Sequence, residues 1–273
     1  MYTIHDLTEL MARLRDPETG CPWDLKQDFA SVLPHTLEEA YEVADAIERQ
    51  DWPHLEEELG DLLFQVIFYG QMGKESGRFT LDSIIDRLVQ KLIRRHPHVF
   101  PEGTLESRRR VDEVLDDAAI SQRWESIKQE EKAVHPNDEP TRLLDDVPVS
   151  LPALSRAAKL QKKASSVGFD WPDTVGVVGK IREELDEVLE ELHAGNREAL
   201  EKEIGDLLFA VVNLARHQKI NPENALRGTN QRFTQRFALV EADAQSKGGW
   251  GAVSLEEMDE AWNAAKRQLR DTE

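Results

Sequence analysis

Five acidic residues, Glu183, Glu184, Glu187, Glu203 and Asp206, repeat in type and spacing five others, Glu38, Glu39, Glu42, Glu58 and Asp61, at a constant offset of 145 positions. Spacings of three and four place Glu183, Glu184 and Glu187 on one helix face and Glu203 with Asp206 on another. Carboxylates that converge repel one another, which raises their pKa values or opens the structure unless a cation sits among them. The donors are all hard oxygens, with no His or Cys at ligand spacing, so the cation expected is Mg²⁺, or alternatively Mn²⁺, and not zinc. With 53 acids in 273 residues, a lone EExxE means little. Five acids at one offset arise by chance on the order of a few times in ten thousand, before the shared Gly-Asp-Leu-Leu-Phe at 60–64 and 205–209 is counted.

The elements that must hold these acids follow from apolar periodicity. Val178, Ile181, Leu185, Val188, Leu189 and Leu192 predict a helix over 175–193. Ala194-Gly195-Asn196 predicts a turn, and Leu200, Ile204, Leu207, Leu208, Val211 and Leu214 predict a second helix from Arg197 to about Gln218. In this antiparallel hairpin Glu187 lies eight residues before Gly195 and Glu203 eight after it, so both stand about 12 Å from the turn and level with each other. The first copy repeats the geometry around Gln50, where Asp51-Trp52-Pro53 supplies a turn and a helix start.

The likeness between the copies continues more loosely outside the hairpins. Trp124 and Lys128 match Trp262 and Lys266, Lys91 and Arg95 match Arg232 and Arg236, and Pro-Trp-Asp at 22–24 echoes Phe-Asp-Trp at 169–171. Pro136, Pro140, Pro148 and Pro152 mark a linker. The predicted fold is all-α, a tandem repeat of helical-hairpin units forming four-helix bundles, with one domain over 1–130, a linker over 131–152, a boundary near residue 140 and a second domain over 153–273. Each hairpin alone buries too little, so pairing is expected, and a homodimer with it.

Composition limits the partners. A net charge of −19 disfavours nucleic acid and anionic membrane surfaces. No apolar run approaches the roughly 18 to 20 residues of a membrane span, and the first residues read as no secretory signal, so a cytoplasmic protein is expected. Cys21 is the only cysteine, which excludes an intrachain disulfide and a cysteine-rich zinc site. His96 and His98 flank Pro97 in an expected turn, and their spacing suits no carboxylate face.

The pattern EExxE, a spacer, then ExxD resembles the all-alpha nucleoside triphosphate pyrophosphatases, which include MazG, the dimeric dUTPases and the phosphoribosyl-ATP pyrophosphohydrolases. Within that group the tandem arrangement, GCPWD at 20–24, RRHPHVF at 94–100 and WNAAKRQ at 262–268 are similar to the two-domain MazG family. The resemblance implies hydrolysis of nucleoside triphosphates, NTP and dNTP, between the α and β phosphates to a monophosphate and pyrophosphate. It implies metal ligands at Glu184, Glu187, Glu203 and Asp206, with Glu183 close by, and a second such set at Glu39, Glu42, Glu58 and Asp61. It also implies that the C-terminal copy is catalytic. Arg232, Arg236 and Lys266 are read as a triphosphate clamp and Trp262 as a surface for the base, with surface ion pairing and core packing as the plainer roles. Asn213 is read as bonding solvent or a neighbouring helix ahead of sugar or base. Two other readings stand: a narrower dUTP or dNTP pyrophosphatase, and a non-catalytic acidic helical regulator.

Overall fold

The computed structural model describes residues 1–109, 120, 123–124, 126–127 and 142–270. Lys128 and residues 131–141 of the expected linker lie outside them. The chain is all-α, with no strand among the described residues, and it divides into two compact units, Met1–Pro136 and Asn137–Glu273. No helix among the described residues is long and apolar enough to cross a membrane.

In the first unit, helix α1 (Ile4–Leu14) starts at a Thr3–Asp6 capping box, and a single turn, α2 (Pro22–Leu25), follows. The long hairpin is α3 (Phe29–Glu48) and α4 (Trp52–Glu75). Asp28 caps α3, while Gln50 takes a left-handed φ of 55° and Asp51 caps α4 ahead of Pro53. Helix α5 (Leu81–Arg95) closes the unit, and His96 caps its end with Nδ1 2.6 Å from the Leu92 carbonyl, the structural turn expected there. Met11, Val32, Ile67, Phe68 and Met72 make the core, where α1 packs on α4. Burying each such side chain contributes about 1.5–3 kcal/mol.

The second unit repeats the plan. Helix α6 (Ala153–Ser165) packs on the second arm of a hairpin made of α7 (Thr174–Ala194) and α8 (Arg197–His217). Asp173 caps α7, Gly195 ends it with φ 69°, and Asn196 caps α8. These bounds fall within one residue of those read from the apolar period. Helix α9 (Pro222–Ser246) packs on α6 and α8, and α10 (Leu255–Arg270) packs on α9 after a short 3-10 turn at Trp250–Ala252.

The buried side chains of this unit are few and mostly small, among them Val177, Ala210, Val212, Val240, Ala244 and Ala265. Much of the predicted apolar face stays exposed within one chain: Leu185, Leu189 and Leu192 on α7, and Ile204, Leu208 and Val211 on α8.

Candidate active site

The hairpins bring the repeated acids together in both units. In the second, carboxylate oxygens of Glu184, Glu187 and Glu203 all lie within 4.8 Å of one another, two from α7 and one from α8. Glu184 is only 5% exposed. In the first unit the equivalent set is Glu39, Glu58 and Asp61. Each set is thus three of the four expected. Asp206 stands outside the tight set and lines the adjoining cavity. Glu42 stands outside its set too, yet shares a hydrogen bond with Glu39.

The electrostatics match the crowding. Burial raises the Glu187 carboxyl above its usual range, and the charges of Glu184 and Glu203 push it further. Burial likewise raises Glu39 and Glu58, each also repelled by neighbouring acids. A hard divalent cation bound by three clustered carboxylates would relieve that repulsion, so the donor set fits magnesium or manganese.

The second unit adds a cation that sequence reasoning missed. Lys180 Nζ lies 2.6 Å from Glu184 and 2.8 Å from Glu183, and these bonds raise its pKa. The signal was there, because a lysine four residues before a glutamate meets it on the helix surface. In the first unit that position, 145 residues earlier, is His35, which lies 3.6 Å from Glu38.

A cavity of about 750 Å³ opens beside the second set, with Lys180, Glu184 and Asp206 in its wall. Trp171 and Phe209 line it also, and so do Asp170, Asn213 and Arg216. Gly176 makes room for the tryptophan, since a Cβ there would come within 2.6 Å of the Trp171 ring. Arg216 donates to Asn213 Oδ1 and to Asp170 Oδ1, and His217 Nε2 lies 3.0 Å from the same Asp170 oxygen. Burial opposes ionisation of Asp170, yet the bonds from Arg216 and His217 hold its carboxyl below the ordinary value.

The basic and aromatic residues expected as a clamp stand on α9 and α10. Trp262 on α10 packs against Phe233 at 5.1 Å, and the Arg236 guanidinium sits 6.0 Å from its ring centre. Arg236 Nε is buried with no hydrogen-bond partner, Arg232 bonds Thr229, and Lys266 is exposed. None of the four lines the cavity beside Glu184.

The first unit differs at the position of Asn213. Where the second has Asn213, it has Phe68, 1% exposed and packed in the core. The Arg15 guanidinium lies 5.4 Å from the Phe68 ring and bonds Glu75 and the carbonyls of Asp24 and Gln27.

Comparison with known proteins adds an independent line. Residues 27–100 and 177–239 match the model of the MazG nucleotide pyrophosphohydrolase domain, one segment over each hairpin. The chain is 49% identical to the nucleoside triphosphate pyrophosphohydrolase of Escherichia coli (strain K12), covering 99% of this chain and 100% of that one. It is 40% identical to the nucleoside triphosphate pyrophosphohydrolase/pyrophosphatase MazG of Thermotoga maritima, over 96% and 95% of the two chains. It is 44% identical to the uncharacterized protein YabN of Bacillus subtilis, where it covers 51% of the longer chain.

Proposed function

Because the chain belongs to the MazG nucleotide pyrophosphohydrolase family, we propose that it hydrolyses nucleoside triphosphates, NTP and dNTP, at the α–β bond, giving a nucleoside monophosphate and pyrophosphate. The observation that carries this reading is the juxtaposition of three crowded carboxylates with a cavity of about 750 Å³ in the second unit. The names borne by the Escherichia coli and Thermotoga maritima relatives support it.

Glu184, Glu187 and Glu203 would hold the metal, with Asp206 at the cavity side of the set. Magnesium, when bound, supplies neutralisation of the phosphate oxygens and a lower pKa for the attacking water. Glu184 and Asp206 stand in the wall of the cavity, which would take the nucleoside end of the substrate. A carboxylate with an oxygen left free by the metal, Glu183 or Glu203, would take the proton from the water as the water oxygen bonds to the α phosphorus and the α–β bridging P–O bond breaks to release pyrophosphate. Lys180, in the cavity wall beside Glu184, adds a cation where the polyphosphate is read.

Burial of Phe68 at the position of Asn213 favours the second unit as the catalytic copy, while Glu39, Glu42, Glu58 and Asp61, three of them clustered, are proposed as a second metal site. Arg232, Arg236, Trp262 and Lys266 keep their proposed part in gripping substrate through a second chain. The exposed apolar faces of α7 and α8 favour a homodimer. The protein is read as cytoplasmic, without nucleic acid or membrane as partner.

Product analysis tests this. Incubation with NTPs and dNTPs should yield monophosphate and pyrophosphate with magnesium and nothing without it. Diphosphate with inorganic phosphate would refute the bond assignment, and undiminished turnover in chelator would refute the metal.

A further inference from the structure

Asn213 lies seven residues beyond Asp206 on α8, two helical turns or about 10 Å along the axis. That is the reach from a polyphosphate at the carboxylates to the base of the same nucleotide. The amide of Asn213 has one orientation. Arg216 donates Nε–H and an Nη2–H to its Oδ1 at 3.0 and 2.7 Å. A guanidinium has no acceptor, so the amide oxygen must be the atom facing it. Arg216 is held in turn by Asp170, which also takes a bond from His217. Asn213 therefore meets the cavity as a donor only.

Gln161, in the same cavity wall, is fixed the opposite way. Its Nε2 donates to the carbonyl of Phe209 at 2.8 Å, while its Oε1 is buried without a hydrogen-bond partner. The residue is 8% exposed, so water does not readily satisfy that oxygen. Phe209 and Asn213 are one turn apart on one face of α8, and Gln161 and Asn213 line the same cavity. A fixed donor and an orphaned acceptor in one cavity wall are half of a hydrogen-bonded pair.

We propose, on the premise that the carboxylate end holds the triphosphate, that Asn213 and Gln161 form a base-reading pair selecting the keto bases guanine, uracil and thymine. Each of these presents a carbonyl oxygen beside a ring N–H, the complement of an amide N–H beside an amide oxygen. Adenine and cytosine present an amino group beside an unprotonated ring nitrogen, which sets donor against donor and acceptor against acceptor. The aromatic walls, Trp171 and Phe209, accept any base face, so discrimination falls to the two amides.

The test compares kcat/KM for UTP against CTP and for GTP against ATP, read as pyrophosphate release with magnesium. The wild type should favour UTP and GTP by about 10-fold, the size of one good paired contact to a base edge. Asn213→Asp keeps an oxygen for Arg216 but turns the other into an acceptor, so both preferences should collapse or invert. Asn213→Ala, checked for helicity, should bring both ratios close to one and carries the test should the aspartate variant not fold. Equal turnover of all four nucleotides by the wild type, or ratios unchanged in both variants, overturns the pairing and leaves pyrophosphohydrolysis standing. A wild type that releases pyrophosphate from none of them overturns instead the premise about the carboxylate end.

Discussion

Glu187 is the residue on which the electrostatics of the second unit turn. Burial and the charges of Glu184 and Glu203 raise its pKa from the ordinary value of 4.5. The folded state therefore binds this proton more tightly than the unfolded state does, and stability falls as pH rises from 4.5 through the raised value. Above that window the ionised cluster is at its most strained and its affinity for a cation is greatest, because protons no longer compete. Magnesium should then raise Tm more near pH 7.5 than near pH 5, as thermal denaturation with and without the ion will report. Glu187→Gln should raise the Tm of the metal-free protein at neutral pH and shrink the magnesium response, whereas an unchanged response would remove Glu187 from the ligand set. At this scale the acids were legible because repetition at one offset singles them out. Which acid leaves each tight set, Asp206 in one and Glu42 in the other, was not, since that depends on side-chain rotamers and on the facing helix.

At the scale of elements, the second hairpin is legible almost to the residue and the first at its turn. Gly195 and Asn196 punctuate one turn as Gln50 and Asp51 punctuate the other, and cap chemistry is local. The network of Asp170, Asn213, Arg216 and His217 was not legible, because it joins α8 to a loop more than forty residues earlier, and only packing chooses that neighbour. The packing of Arg236 against Trp262 was not legible for the same reason, since spacing sets residues on a face without choosing the facing helix. Close packing within the first unit can be probed directly at Gly73 on α4. A Cβ there would lie 2.4 Å from the Phe79 ring and 2.8 Å from its carbonyl oxygen. Gly73→Ala should therefore destabilise that unit by about 1–3 kcal/mol despite the better helix propensity of alanine, measured by urea unfolding. No loss of stability would mean that the α4–α5 connection yields freely.

At the scale of the molecule, one chain leaves apolar surface that pairing would cover. Leu208, 52% exposed, stands in the middle of the face formed with Ile204 and Val211 on α8. If two chains pair through it, light scattering should give twice the mass of 31.1 kDa, and Leu208→Glu should shift the protein to monomer with its helicity intact. A wild type of monomer mass would discard the pairing. The duplication itself poses the larger question, since both copies keep a carboxylate set, the second has a cavity of about 750 Å³ beside it, and the first buries Phe68 against Arg15 at the position of Asn213. The most direct measurement compares Glu187→Gln with Glu42→Gln, the same position in the two copies, by pyrophosphate release from a triphosphate panel with magnesium. Catalysis in the second unit predicts a loss of at least about 100-fold for Glu187→Gln and near wild-type turnover for Glu42→Gln. Full activity in Glu187→Gln, or the larger loss in Glu42→Gln, would contradict it.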